Sequence, residues 1–384
     1  MTLPSMIKVA SPQVGRQEIA AVEEVLLSGQ YVSGRKVGEF ETLFSEYVGV
    51  DHSVAVNSGT AALHSALDVL GVGPGDEVIV PALTFFSTVT AVVHQAGVPI
   101  FCDISLDNFC LDPDDLLRRI TPRTKAIIAV HYFGHAAEMD AINQIAKRYG
   151  LAVIEDCAQA HGTTYKGRKV GSIGDMGAYS FFATKHMTTG EGGIVTTNDV
   201  KANEKMRSFR SHGMEGRHDH VMLGYNYRMT EIAAAIGIIQ LDKLDELNEK
   251  RIKASEYLTE QLSGVSWLTM PKVPSYVRHT YFWCHAMINE DLVGQSTQSV
   301  IQTLRNKGVE VRERYTEPLY RQPMLTHFIP PILQLSGGAN LPAYGDLNLP
   351  NVEQAAGRII GLPNRPDITQ AELDRVVESV LSIG

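Results

Sequence analysis

The sequence predicts an α/β protein: a doubly wound, mostly parallel sheet in a large domain, followed by a smaller C-terminal α+β domain. Two observations carry this expectation. From about residue 50 to 200, short apolar runs recur between stretches of helical periodicity, namely HSVAV, EVIVPA, PIFCDI, AIIAVHYFG, LAVIED, GAYSFF and GGIVTT. These runs are nearly continuous rather than alternating, which is the pattern of strands covered on both faces by helices. The pattern then changes after Thr230, where Ile232, Ile236 and Ile239 recur at helical spacing ahead of the charged tail DKLDELNEKR. This long helix is expected to close the large domain, residues 1–262, and lead into the smaller one, residues 263–384. The smaller domain holds SWLTMPKVP, YFWCHAMI and a last helical segment, AELDRVVESVLSI. Within it, HFIPPILQLSGGANLPAYGDLNLPN is rich in Pro, Gly and Leu and is expected to be a long ordered loop.

Composition bounds the function classes. A chain of 384 residues, 44% hydrophobic and 20% charged, can bury a large core. Its net charge of -9 and the lack of a dense Lys/Arg run argue against nucleic acid as a partner. The four cysteines, Cys102, Cys110, Cys157 and Cys284, lie far apart with no C-x-x-C spacing, so neither a zinc site nor a disulfide framework is expected. A reducing compartment suits them. The stretch MTLPSMIKVASPQVG has no apolar signal-peptide core, and no apolar run approaches membrane-spanning length. A cytoplasmic protein without a membrane partner is therefore expected.

Three constellations, each at the end of an expected strand, carry chemistry. In NSGTAALHSAL, Ser58, Gly59 and Thr60 would present hydroxyls and free backbone N–H groups at the positive end of a helix, a setting that favours a phosphate. Alone, such a turn is more often an ordinary helix cap. In EDCAQAHG, Asp156 could pair with a cationic ring nitrogen and Gln159 could donate to a ring oxygen; a capping Asp beside a solvated Gln is the plainer alternative. In SFFATKHMTTGEGG, Lys185 could serve as a neutral amine that attacks a carbonyl to form a Schiff base, although most lysines are merely solvated. What distinguishes these three is that they occur together and in this order. Pyridoxal phosphate (PLP) needs a phosphate cup, a carboxylate on its pyridine nitrogen and a Schiff-base lysine. Phe85, in VIVPALTFFST, could stack on the pyridine face or simply pack in the core. The glycines of GEGG permit a tight turn after the lysine.

These motifs, with SGQYVSGRKVGEFETLFSEYVGV ahead of them and LGYNYRMTEIAAAIG and GRIIGLPNRPDIT after them, resemble the DegT/DnrJ/EryC1/StrS family of PLP-dependent sugar aminotransferases. The resemblance covers nearly the whole chain and implies the aspartate-aminotransferase-like fold, fold type I. It implies that Lys185 holds PLP as an internal aldimine and later moves the proton between cofactor and substrate. It places Asp156 on the pyridine nitrogen, Gln159 near O3′, Ser58, Gly59, Thr60 and Ser180 on the phosphate, and Phe85 on the ring. Asn226 would reach the phosphate of a neighbouring subunit, so a homodimer is implied. L-Glutamate is the implied amino donor, leaving pyridoxamine phosphate (PMP) as the intermediate form. The implied acceptor is a keto or aldehyde sugar for surface polysaccharide or lipopolysaccharide, usually nucleotide-linked; an octulosonate-type sugar acid aminated at C8 is another option. His279, Arg314 and Tyr315 are candidates for substrate contact, each equally able to be a surface residue.

Two departures from the family pattern stand out. Many relatives carry Asn after the lysine, where this chain has His186; and Arg314-Tyr315 stands where relatives often have His-Tyr. A related group of sugar dehydratases replaces the lysine itself with His, so Lys185 favours a transaminase. A PLP-binding regulator without turnover is a second alternative. A nicotinamide dehydrogenase would also suit the sheet, but no G-x-G-x-x-G follows a strand.

Overall fold

The computed structural model describes residues 6–32, 34–216, 218–337 and 341–383. Seven strands form the central sheet: β1 (His52–Val56), β2 (Glu77–Pro81), β3 (Val98–Cys102), β4 (Thr124–Val130), β5 (Ala152–Asp156), β6 (Met176–Ser180) and β7 (Gly193–Thr197). They lie in the order β1-β7-β6-β5-β4-β2-β3. Only β7 runs against its neighbours, pairing antiparallel with both β1 and β6. All other pairings are parallel. The apolar runs are strands because both faces are covered: Val78, Ile79 and Val80 are fully buried, as are Ile127, Ile128 and Ala129.

The run AIIAVHYFG was expected to be extended through Gly134, yet the strand stops at Val130. His131 turns its Nε2 to the buried carboxylate of Glu155 at 3.0 Å, and the N–H of Phe133 donates to Gln159 Oε1 at 3.1 Å. With its backbone partner replaced by a side chain, the chain curls into a short 3₁₀ turn, Tyr132–Gly134.

The helix Glu231–Leu262 begins on a cap in which Thr230 Oγ1 accepts from Ala233 N. Glu231, at its first position, reaches back to accept the N–H groups of Gly34, Lys36 and Val37 at 2.7, 2.8 and 2.9 Å. A four-stranded antiparallel sheet follows, with Cys284–Ile288 and Ile359–Leu362 at its centre. A second hydrophobic cluster forms around it, including Leu258, Leu262, Val300, Leu304, Val376 and Val380.

The Pro-rich segment expected to be a loop departs from that expectation. It contains a helix, Pro331–Gly337, and a 3₁₀ turn, Tyr344–Asp346; residues 338–340 lie outside the described residues. Tyr344 donates to the carbonyl of Pro99 at 3.0 Å, and the N–H groups of Asn351 and Val352 donate to Asp103 at 3.1 and 2.9 Å. These bonds fasten the segment to the end of the central sheet. All four cysteines are buried as free thiols. Among the described residues no helix is long and apolar enough to cross a membrane.

Candidate active site

A cavity of about 530 Å³ opens beyond the carboxyl ends of the central strands, where loops of an open α/β sheet converge. Its lining includes Ser58, Gly59, Thr60, Phe85, Asp156, Gln159, Ser180, Lys185, Arg314 and Tyr315. Residues far apart in sequence thus meet at one place.

The turn after β1 starts the helix Gly59–Val69, and Ser58 caps it by accepting from Ala61 N at 3.1 Å. The cap reading and the phosphate reading are therefore compatible, since the N–H groups of the first helical positions still face the cavity end of the helix. Gly59 has to be glycine: a Cβ there would lie 2.7 Å from Ser180 Cβ. Gly193 is just as constrained, with the carbonyl of Ser58 only 2.3 Å from where its Cβ would be. Strand β7 therefore presses directly on the turn and fixes its shape.

Asp156 ends β5 and is 6% exposed. Its carboxylate accepts from Ala158 N at 3.1 Å and from Thr88 Oγ1 at 3.2 Å. Burial raises its pKa; the Ala158 N–H, the nearby Lys185 charge and the Thr88 hydroxyl pull the other way. A cation in the cavity would hold it ionised.

Gln159 accepts from Phe133 N and donates through Nε2 to Tyr315 Oη at 2.8 Å. One Nε2 hydrogen remains for a ligand. Tyr315 is itself held by near-parallel stacking on Phe133, centroids 5.9 Å apart. Arg314 lies over the Trp283 ring at 4.7 Å. Among the described residues it has no carboxylate partner, and burial lowers its pKa.

Lys185 Nζ sits 4.8 Å from the centre of the Phe282 ring. Burial pulls its amine down to about 8; Asp156 opposes this and the Arg314 guanidinium adds to it. In cofactor-free protein the reactive free amine therefore grows as pH rises through about 8. The rate of Schiff-base capture of an added aldehyde, followed by absorbance, should climb over that range and level off well below the 10.5 of an ordinary lysine.

Two candidates are not brought to the cavity. Asn226 is exposed, and its carbonyl accepts from Asn57 Nδ2 at 3.2 Å. His279 is 2% exposed and stacks on Tyr281 with centroids 3.7 Å apart, beside His135 and His285. His279, expected as a candidate for substrate contact, is therefore not among the residues that line the cavity; it follows the strand Val277–Arg278 and its ring is buried. Conversely, Thr84, Thr88 and Phe282 have places at or behind the cavity wall that the sequence reading did not give them. Thr84 and Thr88 flank Phe85 in VIVPALTFFST, so a hydroxyl on either side of the aromatic was the available signal.

The cavity has the features PLP requires. A glycine-lined helix start faces it, a buried carboxylate and a lysine of lowered basicity both line it, and the hydroxyl of Thr84 is buried in its wall without a partner among the described residues. Together, fold and site define a PLP-dependent aminotransferase of fold type I. Residues 12–381 match the model of the DegT/DnrJ/EryC1/StrS aminotransferase family, and the chain belongs to that family. It is 39% identical over 378 residues to GDP-perosamine synthase of Caulobacter vibrioides, covering 97% of each chain. Among solved structures it resembles S. venezuelae DesV in complex with a ketimine intermediate, with a TM-score of 0.86, 32% identity, and 95% of this chain and 93% of that one covered. It also resembles Spr1654 of Streptococcus pneumoniae, solved in PLP and PMP forms. Both TM-scores are 0.86, with 28% and 29% identity, 98% of this chain covered, and 98% and 97% of those chains. The protein is a PLP-dependent sugar aminotransferase.

Proposed function

We propose that this aminotransferase takes an amino group from L-glutamate and delivers it to the keto carbon of a nucleotide-linked sugar in surface polysaccharide or lipopolysaccharide biosynthesis. The observation that carries the reading is the convergence of Lys185, Asp156 and the Ser58–Thr60 turn on one cavity; the likeness to GDP-perosamine synthase supports the nucleotide-linked acceptor. When bound, PLP supplies an electron sink and a reactive carbonyl carbon.

Each residue then has a task. Ser58, Gly59, Thr60 and Ser180 receive the phosphate, and Phe85, 57% exposed, offers its face to the ring. Asp156 pairs with the ring nitrogen and Gln159 donates its remaining hydrogen to the ring oxygen. Lys185 Nζ would hold the cofactor's carbonyl carbon and would carry the proton to and from the substrate carbon. Asn226, exposed on this chain, fits a contact with the phosphate in a neighbouring copy, so a homodimer belongs to this reading. So does a cytoplasmic site of action, in keeping with four reduced cysteines. The proposed domain division near residue 262 draws support from the second hydrophobic cluster, although the segment around Leu319–Tyr344 packs on the first.

A second reading has one observation in its favour. The guanidinium of Arg314 lines the cavity without a carboxylate partner among the described residues, which would suit an acceptor that is itself a sugar acid, such as an octulosonate aminated at C8. Incubating the enzyme with glutamate and a panel of both acceptor classes, and weighing the products, tests the choice. A mass gain matching amination on a nucleotide-linked sugar is expected. Amination confined to sugar acids would overturn the first reading in favour of the second.

A further inference from the structure

His186 follows Lys185 directly and lines no part of the active cavity. It is 2% exposed, and its Nε2 lies 3.2 Å from the carbonyl oxygen of Thr280. A carbonyl only accepts, so Nε2 carries the ring proton and Nδ1 of the neutral ring is a bare acceptor. Burial first, then His161 and Arg251, keep that ring neutral. Nδ1 is buried and meets no donor among the described residues.

The complementary group is close by. Arg251, on the helix Glu231–Leu262, is 4% exposed, and its Nε is buried without an acceptor among the described residues. Arg251 and His186 share the walls of a second, small cavity with Gln13 and Gln240, and Lys185 stands on the same wall. Gln240 is already committed: its Oε1 accepts from Thr188 N, and its Nε2 donates to Gln13 O and Glu18 Oε1. The cavity volume is about 10 Å³, which suits a single water and excludes any oxyanion.

We infer that one buried water joins Arg251 to Nδ1 of His186 across this cavity, and that His186 is thereby a positioning residue for Lys185. The water accepts from the guanidinium and donates to Nδ1. A halide could not replace it, because Nδ1 has no proton to give. Through Nε2, His186 also ties the lysine's own peptide to the segment Thr280–Phe282, whose phenyl ring flanks Lys185 Nζ. One imidazole therefore sets the lysine against two separate elements: the long helix and the Phe282 segment. This is the use of a histidine beside the lysine.

The test compares His186→Phe, Arg251→Met, the double variant and His186→Gln as PLP-loaded enzymes in the half-reaction with glutamate. Each of the first two should lower kcat about 10- to 100-fold, the scale of a small misplacement of a reacting group, with KM for glutamate nearly unchanged. The double variant should be no worse than the poorer single, because both act through one water. His186→Gln, whose amide offers both a donor and an acceptor, should keep kcat within about 3-fold of the parent on the same reasoning. Visible circular dichroism of the bound cofactor should change in the first two and not in the Gln variant. Additive losses, or a high-resolution crystal structure with Arg251 bonded to a protein carbonyl and no water at Nδ1, would overturn the inference. That crystal structure decides even if Arg251→Met fails to fold. The inference rests on Lys185 as the cofactor lysine: if borohydride fixes no cofactor to Lys185, that reading falls, whereas normal fixation with additive losses sinks this inference alone.

Discussion

Replacing Lys185 with alanine should cut amino transfer from glutamate by about 10⁴-fold or more, the upper range for loss of a positioned proton-transfer group, and should abolish borohydride-stable attachment of the cofactor. The phosphate turn and Asp156 are untouched, so PLP should still be taken up without a covalent link. Folding should not suffer, because burying this amine is unfavourable: it titrates near 8 in the folded chain against 10.5 when unperturbed. The unfolded chain binds the proton more tightly, so this group makes the parent protein more stable as pH rises from about 8 to 10.5. The variant should lack that part of the pH dependence, and melting curves across the range would show it. A Lys185→Ala protein that turned over glutamate near the parental rate would refute the role assigned to the lysine.

Asp156→Asn is expected to separate stability from function. The amide has nearly the same size and can still accept from Ala158 N, but it brings no charge to a ring nitrogen. The rate of the glutamate half-reaction should fall about 10²- to 10³-fold, the cost of losing one preorganised electrostatic contact, and PLP affinity should fall with it. Without cofactor the ranking reverses. Burial raises the pKa of Asp156 in the folded chain, so the parent protein loses stability from this group as pH rises above the ordinary carboxylate value of 3.8. At neutral pH cofactor-free Asp156→Asn should therefore melt higher than the cofactor-free parent, and the PLP-loaded variant should melt lower than the PLP-loaded parent. If the variant melts lower in both states, Asp156 is a structural carboxylate and the pairing with the cofactor is wrong.

Much of the large sheet was legible because its signal is local. Strands buried on both faces must be apolar throughout, and each of the seven runs from HSVAV to GGIVTT overlaps a strand of the central sheet. The Lys185, Asp156 and Ser58 motifs were legible for a related reason: each lies at the end of such a strand, and the order of the strands in the sheet brings those ends together. The place of His279 outside the cavity lining was not legible, because a histidine next to an aromatic run reads the same whether the ring faces a cavity or, as here, stacks on Tyr281 in a buried cluster. Glu155 and Glu231 carried no sequence signal either. Each is a buried carboxylate that accepts backbone N–H groups from a distant segment, Ile173 and Gly174 for the first and Gly34 to Val37 for the second. Such partners are chosen by packing, not by spacing.

By itself the sequence determined the reaction class, since the residue types that PLP chemistry needs, a lysine, a carboxylate and a hydroxyl-rich turn at a helix start, stand at fixed places along the chain. Only the tertiary structure decided how those groups are tuned. The enclosure that brings the Lys185 amine to about 8, the Arg314 guanidinium held over the Trp283 ring at the cavity wall and the small chamber between His186 and Arg251 all arise from elements separated by tens to hundreds of residues. Desolvation and the distance between charges exist only once those elements are packed together.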